Sequence, residues 1–388
     1  MTKSTAKYSV AIVGGGPVGL FLGICLQSAG VSCIILEKQA QIKAGSRSIG
    51  IHPVSLELFD KLNITSSFLA EGLKIKKGHA FNNSHKLGTL SFKDCTAPHN
   101  YILSLPQQRT EQMLQDKLQA YGSHILQRSA KVINISQTPN QVNINYNQNG
   151  ETHTISASYL VGCDGKNSYV RKSAGINFQG KEYPDTYVMG DFSENTKLGN
   201  DAAIYLCDEG LIESFPLPNN NRRWVVKTEE YLPNPTRINI EERIQHRINH
   251  SLSNTAHTML SSFGVQKLVA MPMVKKRIIL AGDAAHVVSP IGGQGMNLGW
   301  LACWDLSEKI SGIINQRLSA EFALKKFGQR RLKVAQKVIR RAELNMRLGR
   351  SYRFPFLRNS LVQLMLTEPF ASLSAKLFTM RGLQQWII

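Results

Sequence analysis

The sequence predicts an α/β fold in which a parallel-sheet domain is interleaved with an antiparallel β-sheet and followed by a helical C-terminus. Three observations carry this reading. A strand, a glycine turn, a helix and a second strand open the chain between Val10 and Leu36. Residues 76–105 and 178–230 alternate in polarity and are punctuated by Pro184, Gly190, Gly199, Gly210, Pro216 and Pro218. From Asn297 onward the apolar residues recur at helical spacing.

Each element has a local reason. Val10–Val13 is a β-rich apolar run ending in glycine, which suits a strand buried on both faces. Pro17–Ala29 has helical spacing and stops at Gly30, a residue suited to the left-handed C-terminal position. Ser32–Leu36 is a second buried strand, with Glu37 at its end. Thr110–Tyr121 reads as a helix, residues 131–135, 141–146 and 152–161 as strands, and 276–281 as a late buried strand.

Composition narrows the function. A chain of 388 residues with 42% hydrophobic content can bury the cores of two joined domains. Cys25, Cys33, Cys95, Cys163, Cys207 and Cys303 show no C-x-x-C pair and no metal-ligand spacing, so they read as reduced core thiols of a cytoplasmic protein without a metal site. The apolar stretch Val10–Leu26 superficially resembles a leader, but three glycines and Pro17 interrupt it. No uninterrupted run of 18 apolar residues predicts a membrane span.

The net charge of +19 concentrates near the C-terminus, where residues 316–358 hold thirteen Lys and Arg against two Glu. Leu332, Val334, Val338, Ile339, Leu344 and Leu348 recur there at helical spacing. We read a helix packed on the body with a solvated basic face, and contact with anionic lipid or an acidic partner as the alternative. Nucleic acid is not an expected partner, because neither an aromatic-interleaved groove nor a zinc module accompanies the charge.

The chemistry lies in two glycine motifs. Gly14-x-Gly16-x-x-Gly19 encloses Pro17 and Val18 between the first strand and helix. Gly14 allows the tight turn, Gly16 lets a pyrophosphate approach the backbone, and Gly19 lets helix pack on strand. The helix N-terminus offers N–H groups to phosphate, and Glu37, next to Lys38, can accept from ribose hydroxyls. This Rossmann-type unit fits NAD or FAD. The second motif is Gly282-Asp283, followed by Pro290 and by Gly292, Gly293, Gly295, Met296 and Asn297. An aspartate at a strand end can bond a ribitol or ribose hydroxyl, and a glycine loop opening a helix can stabilise charge on a reduced flavin.

With these residues, and with Cys163-Asp164-Gly165 continuing to Arg171, the chain resembles the group A flavoprotein monooxygenases, the p-hydroxybenzoate hydroxylase-like family. The segment Arg47-Ser48-Ile49-Gly50-Ile51-His52-Pro53 is most similar to the phenol and aromatic polyketide hydroxylase branch. The resemblance implies FAD as cofactor, NADPH or NADH as co-substrate, O2, and an organic substrate that is aromatic or polyketide-like, hydroxylated through a flavin C4a-hydroperoxide. It also implies that Arg47, Gln107, Asp164, Gly165, Asp283, Pro290 and the loop to Asn297 lie against FAD. Two departures stand out: there is no room for the thioredoxin-like C-terminal domain of many relatives, and Ala302 stands where an aspartate is common.

The expected division is 1–75, 100–178 and 268–330 for FAD, 76–99 and 179–267 for a substrate-binding sheet, and 331–388 for the basic helical segment. Pro290, Tyr205, His52 and His286 are the pocket candidates. Rival readings are a tetracycline-type drug-inactivating monooxygenase, a membrane-associated ubiquinone-type hydroxylase or prenyl-lipid reductase, and an NAD-dependent dehydrogenase.

Overall fold

The computed structural model describes residues 6–43, 45, 48–93, 95, 98–289, 293–350 and 354–381. β1 (Ala6–Val13), α1 (Pro17–Ser28) and β2 (Cys33–Leu36) form the opening unit. β1 pairs in parallel with β2 on one side and with the strand Glu151–Gly162 on the other. Ile278–Leu280 and Leu126–Gln127 extend this parallel sheet at its two sides. Cys33–Leu36 is buried throughout, as expected of a strand covered on both faces. α1 is apolar on nearly all sides because it is enclosed between the helices Gln107–Gln119 and Gln294–Ile314. Gly30, at φ +69, ends it.

The second large sheet runs His286–Val287, His257–Met271, Asn177–Ser193, Asn221–Thr228, Gly210–Leu217, Ala202–Cys207, Lys77–Asn82 and His85–Ser91. It departs from the expected antiparallel pattern at one place, where Ala202–Cys207 and Lys77–Asn82 run parallel. Its two faces obey the two-residue period of strands. Val188, Ile212, Trp224 and Val226 pack outward under the helix Arg237–Ile248, while Met189, Leu206, Leu211 and Val225 face inward.

The helix Arg237–Ile248 and the short helices Pro53–Lys61 and Thr65–Glu71 were not expected from the sequence. Their cues are local: Pro53 sits in the first turn of one, and the backbone N–H of Thr236 donates to Asn239 Oδ1 at 2.8 Å at the start of another.

The helices Gln294–Ile314 and Ala320–Leu348 pair, and Pro355–Met365 and Phe370–Phe378 follow. Lys325, Lys326, Lys333, Arg340 and Arg347 form the expected exposed basic face. Other cations of the segment are structural pins. Arg331 meets Asp305 at 2.9 Å, Arg350 makes a two-pronged contact with Asp185, and buried Arg358 donates to the Leu206 carbonyl at 2.7 Å. No described helix is long and apolar enough to cross a membrane.

Candidate active site

Strand register brings the motifs together. Val13 is paired with Leu36 and with Gly162, and Gly162 with Leu280, so four parallel strands end side by side. Backbone bonds continue the alignment into the loops: Gly14 N–H donates to the Leu36 carbonyl (2.9 Å), Cys163 N–H to Val13 (2.7 Å) and Ala281 N–H to Gly162 (2.9 Å). The glycine turn, Glu37, the Cys163–Asp164–Gly165 loop and Gly282–Asp283 therefore share the carboxyl edge of one sheet. That edge is where open α/β sheets bind ligands.

A cavity of about 1050 Å³ begins at this edge and runs to the inward face of the second sheet. The edge suits a dinucleotide. A Cβ on Gly14, at φ +108, would meet the Cys163 carbonyl oxygen at 2.3 Å, whereas a Cβ on Gly16 would meet nothing within 4 Å. Gly16 therefore leaves the uncapped N-terminus of α1 open to the cavity. The helix Gln294–Ile314 presents its own uncapped N-terminus there, entered through Gly293 at φ +63. Glu37 accepts the Gly15 N–H on Oε2 (2.6 Å) and the Gln39 N–H on Oε1 (2.7 Å), which fixes the carboxylate while leaving lone pairs for hydroxyl donors. The Asp283 side chain is exposed to the cavity it lines; the protein packed around it raises its carboxyl above the usual range, and Lys166 pulls it the other way.

The expected contact residues divide. Gly14, Gly16, Pro17, Val18, Glu37, Lys38, Gln107, Asp164, Gly165, Asp283, Gly293, Gly295 and Met296 line the cavity. Arg47 and Pro290 lie outside the described residues. Gly19 packs inside the turn, where a Cβ would meet the Gly14 carbonyl oxygen at 1.9 Å. The Asn297 side chain is spent on protein: Oδ1 accepts from His52 N–H (2.9 Å) and Ser55 (2.8 Å), and Nδ2 donates to the carbonyls of Gly50 (2.9 Å) and Gly293 (3.0 Å). It clasps the mouth of the helix to the segment around Gly50. Gln107 donates to Glu111 at 2.7 Å, and Asp164 accepts the Val170 N–H at 3.0 Å.

Of the pocket candidates, only His52 is on the wall among the described residues. Tyr205 belongs to the outer face of its strand, stacked on Phe81 and near Trp224, while its neighbours Ile204 and Leu206 face the cavity. Alternation along the strand excludes it. His286 is buried behind the wall, where burial and Arg331 lower it to about 4.

Residues 7–342 match the family described as FAD binding domain. The chain belongs to that family of flavin monooxygenases. It is 30% identical to an uncharacterised aromatic compound monooxygenase of Bacillus subtilis over 348 residues, 88% of this chain and 69% of the relative. Pentachlorophenol 4-monooxygenase of Sphingobium chlorophenolicum is 28% identical over 319 residues, 79% of this chain and 59% of the relative. The chain thus spans 59–69% of the length of these two relatives. In fold it matches p-nitrophenol 4-monooxygenase from Pseudomonas putida at a TM-score of 0.88 and 19% identity, covering 99% of this chain and 98% of that one.

The monooxygenase has site features that its motifs did not reveal. Arg171 ties two loops at the carboxyl edge of the parallel sheet together by donating to the carbonyls of Ala284 (3.1 Å) and Lys166 (2.8 Å), with Phe178 against its guanidinium. At the far wall, Arg223 makes a buried two-pronged pair with Asp191 at 2.6 and 2.8 Å. Glu213 lies on the same wall, buried, and desolvation pushes its carboxyl up to about 7. A charged residue at an inward position of an otherwise apolar alternating strand was the available signal. Without the partner strands in view, the face it occupied was unknown.

Proposed function

We propose that this monooxygenase hydroxylates a phenolic or polyketide-like aromatic compound, with FAD at the carboxyl edge of the parallel sheet and substrate under the inward face of the second sheet. One observation carries this reading: a single cavity joins the dinucleotide-suited loops to a wall built from Met189, Ile204, Leu206, Leu211, Phe215 and Val225. Bound FAD would accept a hydride from NADPH or NADH and activate O2. The chain's own part is positional. Gly14, Gly16, Pro17 and Val18 carry the pyrophosphate, Glu37 the ribose and Asp283 the ribityl chain, and Gly293, Gly295 and Met296 border the ring. Lys38, Gln107, Asp164 and Gly165 flank the dinucleotide, and the apolar wall keeps water from the reacting centre. In this division residues 1–75, 100–178 and 268–330 serve FAD, while 76–99 and 179–267 serve the substrate.

The test is a phenol and polyketide screen under labelled O2. The expected result is faster NADPH or NADH oxidation with one labelled oxygen in the product. Protein that takes up no FAD, or reduces flavin without oxygenating any aromatic, rejects the reading.

A second reading concerns location. Phe354, Phe356, Leu357, Leu361, Leu364, Phe370 and Leu373 are all exposed at the C-terminal helices, whose Val362, Met365, Leu366 and Phe378 line the cavity. With exposed Arg347 and Lys376 nearby, these side chains suit an anionic lipid interface and an apolar substrate drawn from it. Flotation with anionic vesicles is expected for the wild type and not for a Phe356→Ser/Leu357→Ser/Leu361→Ser variant. Equal flotation, or none by either, rejects it.

A further inference from the structure

Resting on the hydroxylase reading, we propose that Glu213 is a catalytic residue of this enzyme, the base that takes the proton of a phenolic or enolic hydroxyl on the substrate. Glu213 is in the middle of Gly210–Leu217, directly opposite Ile204 on one neighbouring strand and Val225 on the other. Leu211 and Phe215 flank it on its own strand, and all five residues line the cavity. The residue is 5% exposed. No hydrogen bond or ion pair from a described residue reaches its carboxylate.

That isolation is unusual within this sheet. Asp191 is paired with Arg223 and Asp185 with Arg350, so the fold supplies guanidinium partners where a buried acid is structural. Glu213 has none, and a carboxyl desolvated without a partner costs stability. Glu213 lines the cavity beside the inward apolar wall, so its unused hydrogen-bonding capacity calls for a donor there. A hydroxyl on an aromatic ring supplies one.

The charged surroundings agree. Tyr187, on Asn177–Ser193, has its phenol raised by burial and, to a lesser extent, by Glu213. Arg223 is neutralised by Asp191, Arg350 by Asp185, and His79 is held between Thr89 and Asp201 at 2.9 Å each. None of these groups pairs with Glu213 and fixes it as an anion. Burial leaves it titrating at about 7, where it can both take and return a proton at neutral pH.

The substrate O–H bond breaks, the proton goes to a Glu213 oxygen, and the electron pair stays on the substrate oxygen and enters the ring. This activates the ortho and para carbons toward an oxygen atom derived from O2, with NADPH or NADH supplying two electrons and the second oxygen leaving as water. As the ring rearomatises, its hydrogen departs as a proton and Glu213 returns its own to the original oxygen.

The test compares the FAD-loaded wild type with Glu213→Gln and Glu213→Asp. Infrared difference titration of the wild type should show a protonated-carboxyl band that titrates near pH 7 and is missing from Glu213→Gln. Hydroxylation by Glu213→Gln should fall in kcat about 10²–10⁴-fold, with FAD still bound and oxygen released as hydrogen peroxide. Glu213→Asp should recover part of the rate, and electron-poor phenols already ionised at the assay pH should lose least. A Glu213→Gln enzyme with wild-type kcat and pH profile, or an unchanged infrared band, overturns the assignment. If phenols perturb the wild-type flavin spectrum and are oxygenated equally by both proteins, only Glu213 fails. If no phenol perturbs the wild-type flavin or is oxygenated, the hydroxylase reading fails and takes this role with it.

Discussion

At the scale of single residues, Gly14 and Gly16 are expected to separate folding from cofactor binding. A methyl group at Gly14 collides with the Cys163 carbonyl in a left-handed backbone, whereas one at Gly16 meets open cavity. Gly14→Ala should therefore lower the melting temperature of the apoprotein. Gly16→Ala should leave it within about 2 °C, since alanine for glycine at a helix N-cap costs about 1 kcal/mol and the shift per kcal/mol shrinks as chains lengthen. It should nevertheless weaken FAD binding at least about tenfold, or about 1.4 kcal/mol. Thermal melts of apoprotein and flavin-fluorescence titrations check both. Glu213 makes the opposite trade. Its carboxyl rises from 4.5 to about 7 on folding, so its protonated form is favoured in the native state. Stability is fully retained below pH 4.5 and declines by about 3 kcal/mol as pH rises through 7. The advantage of Glu213→Leu over wild type should be about 3 kcal/mol larger at pH 8 than at pH 4 by denaturant titration. Both glycines are legible in the sequence, because a turn motif declares itself locally. The isolation of Glu213 is not, because it depends on what three adjacent strands place around it.

At the scale of elements, the helices Gln294–Ile314 and Ala320–Leu348 are joined by Asp305 and Arg331, each almost completely buried and 2.9 Å apart without good hydrogen-bond alignment. Lys309 and Arg330 approach Asp305 at 3.5 and 3.8 Å. Removing one partner strands a buried charge, so Asp305→Leu should cost about 3–5 kcal/mol. Asp305→Leu/Arg331→Met should recover most of it, as read by urea unfolding. His286 lies beside this pair and falls from 6.5 to about 4 on folding. Its neutral form is favoured, so its contribution is complete above pH 6.5 and is lost as pH drops toward 4, amounting to about 3 kcal/mol. His286→Leu should flatten that acid limb of the stability curve. A run of thirteen cations reads from sequence as a solvated face. Only the packed helices reveal that Arg331, Arg350 and Arg358 are pins into the body.

At the scale of the whole molecule, FAD is expected to bridge loops from four parallel strands and so to stabilise the domain as a unit. Ligand at about 100 times its Kd should add about 2.7 kcal/mol. Removing FAD should therefore lower the melting temperature of the wild type at once across probes of both sheets, and a probe of the second sheet that does not shift would contradict this coupling. By itself the sequence determined the α/β class, the strand–turn–helix start and the two glycine motifs, because each is written in contiguous residues with a period or a glycine requirement of its own. Tertiary structure alone decided which residues reach the cavity. Strand register aligned Val13, Leu36, Gly162 and Leu280, turned Tyr205 outward and Glu213 inward, and spent Asn297 on clasping the helix mouth rather than facing the cavity. A side chain's period is encoded locally, but the face that becomes a cavity wall is set by partners far away in the chain.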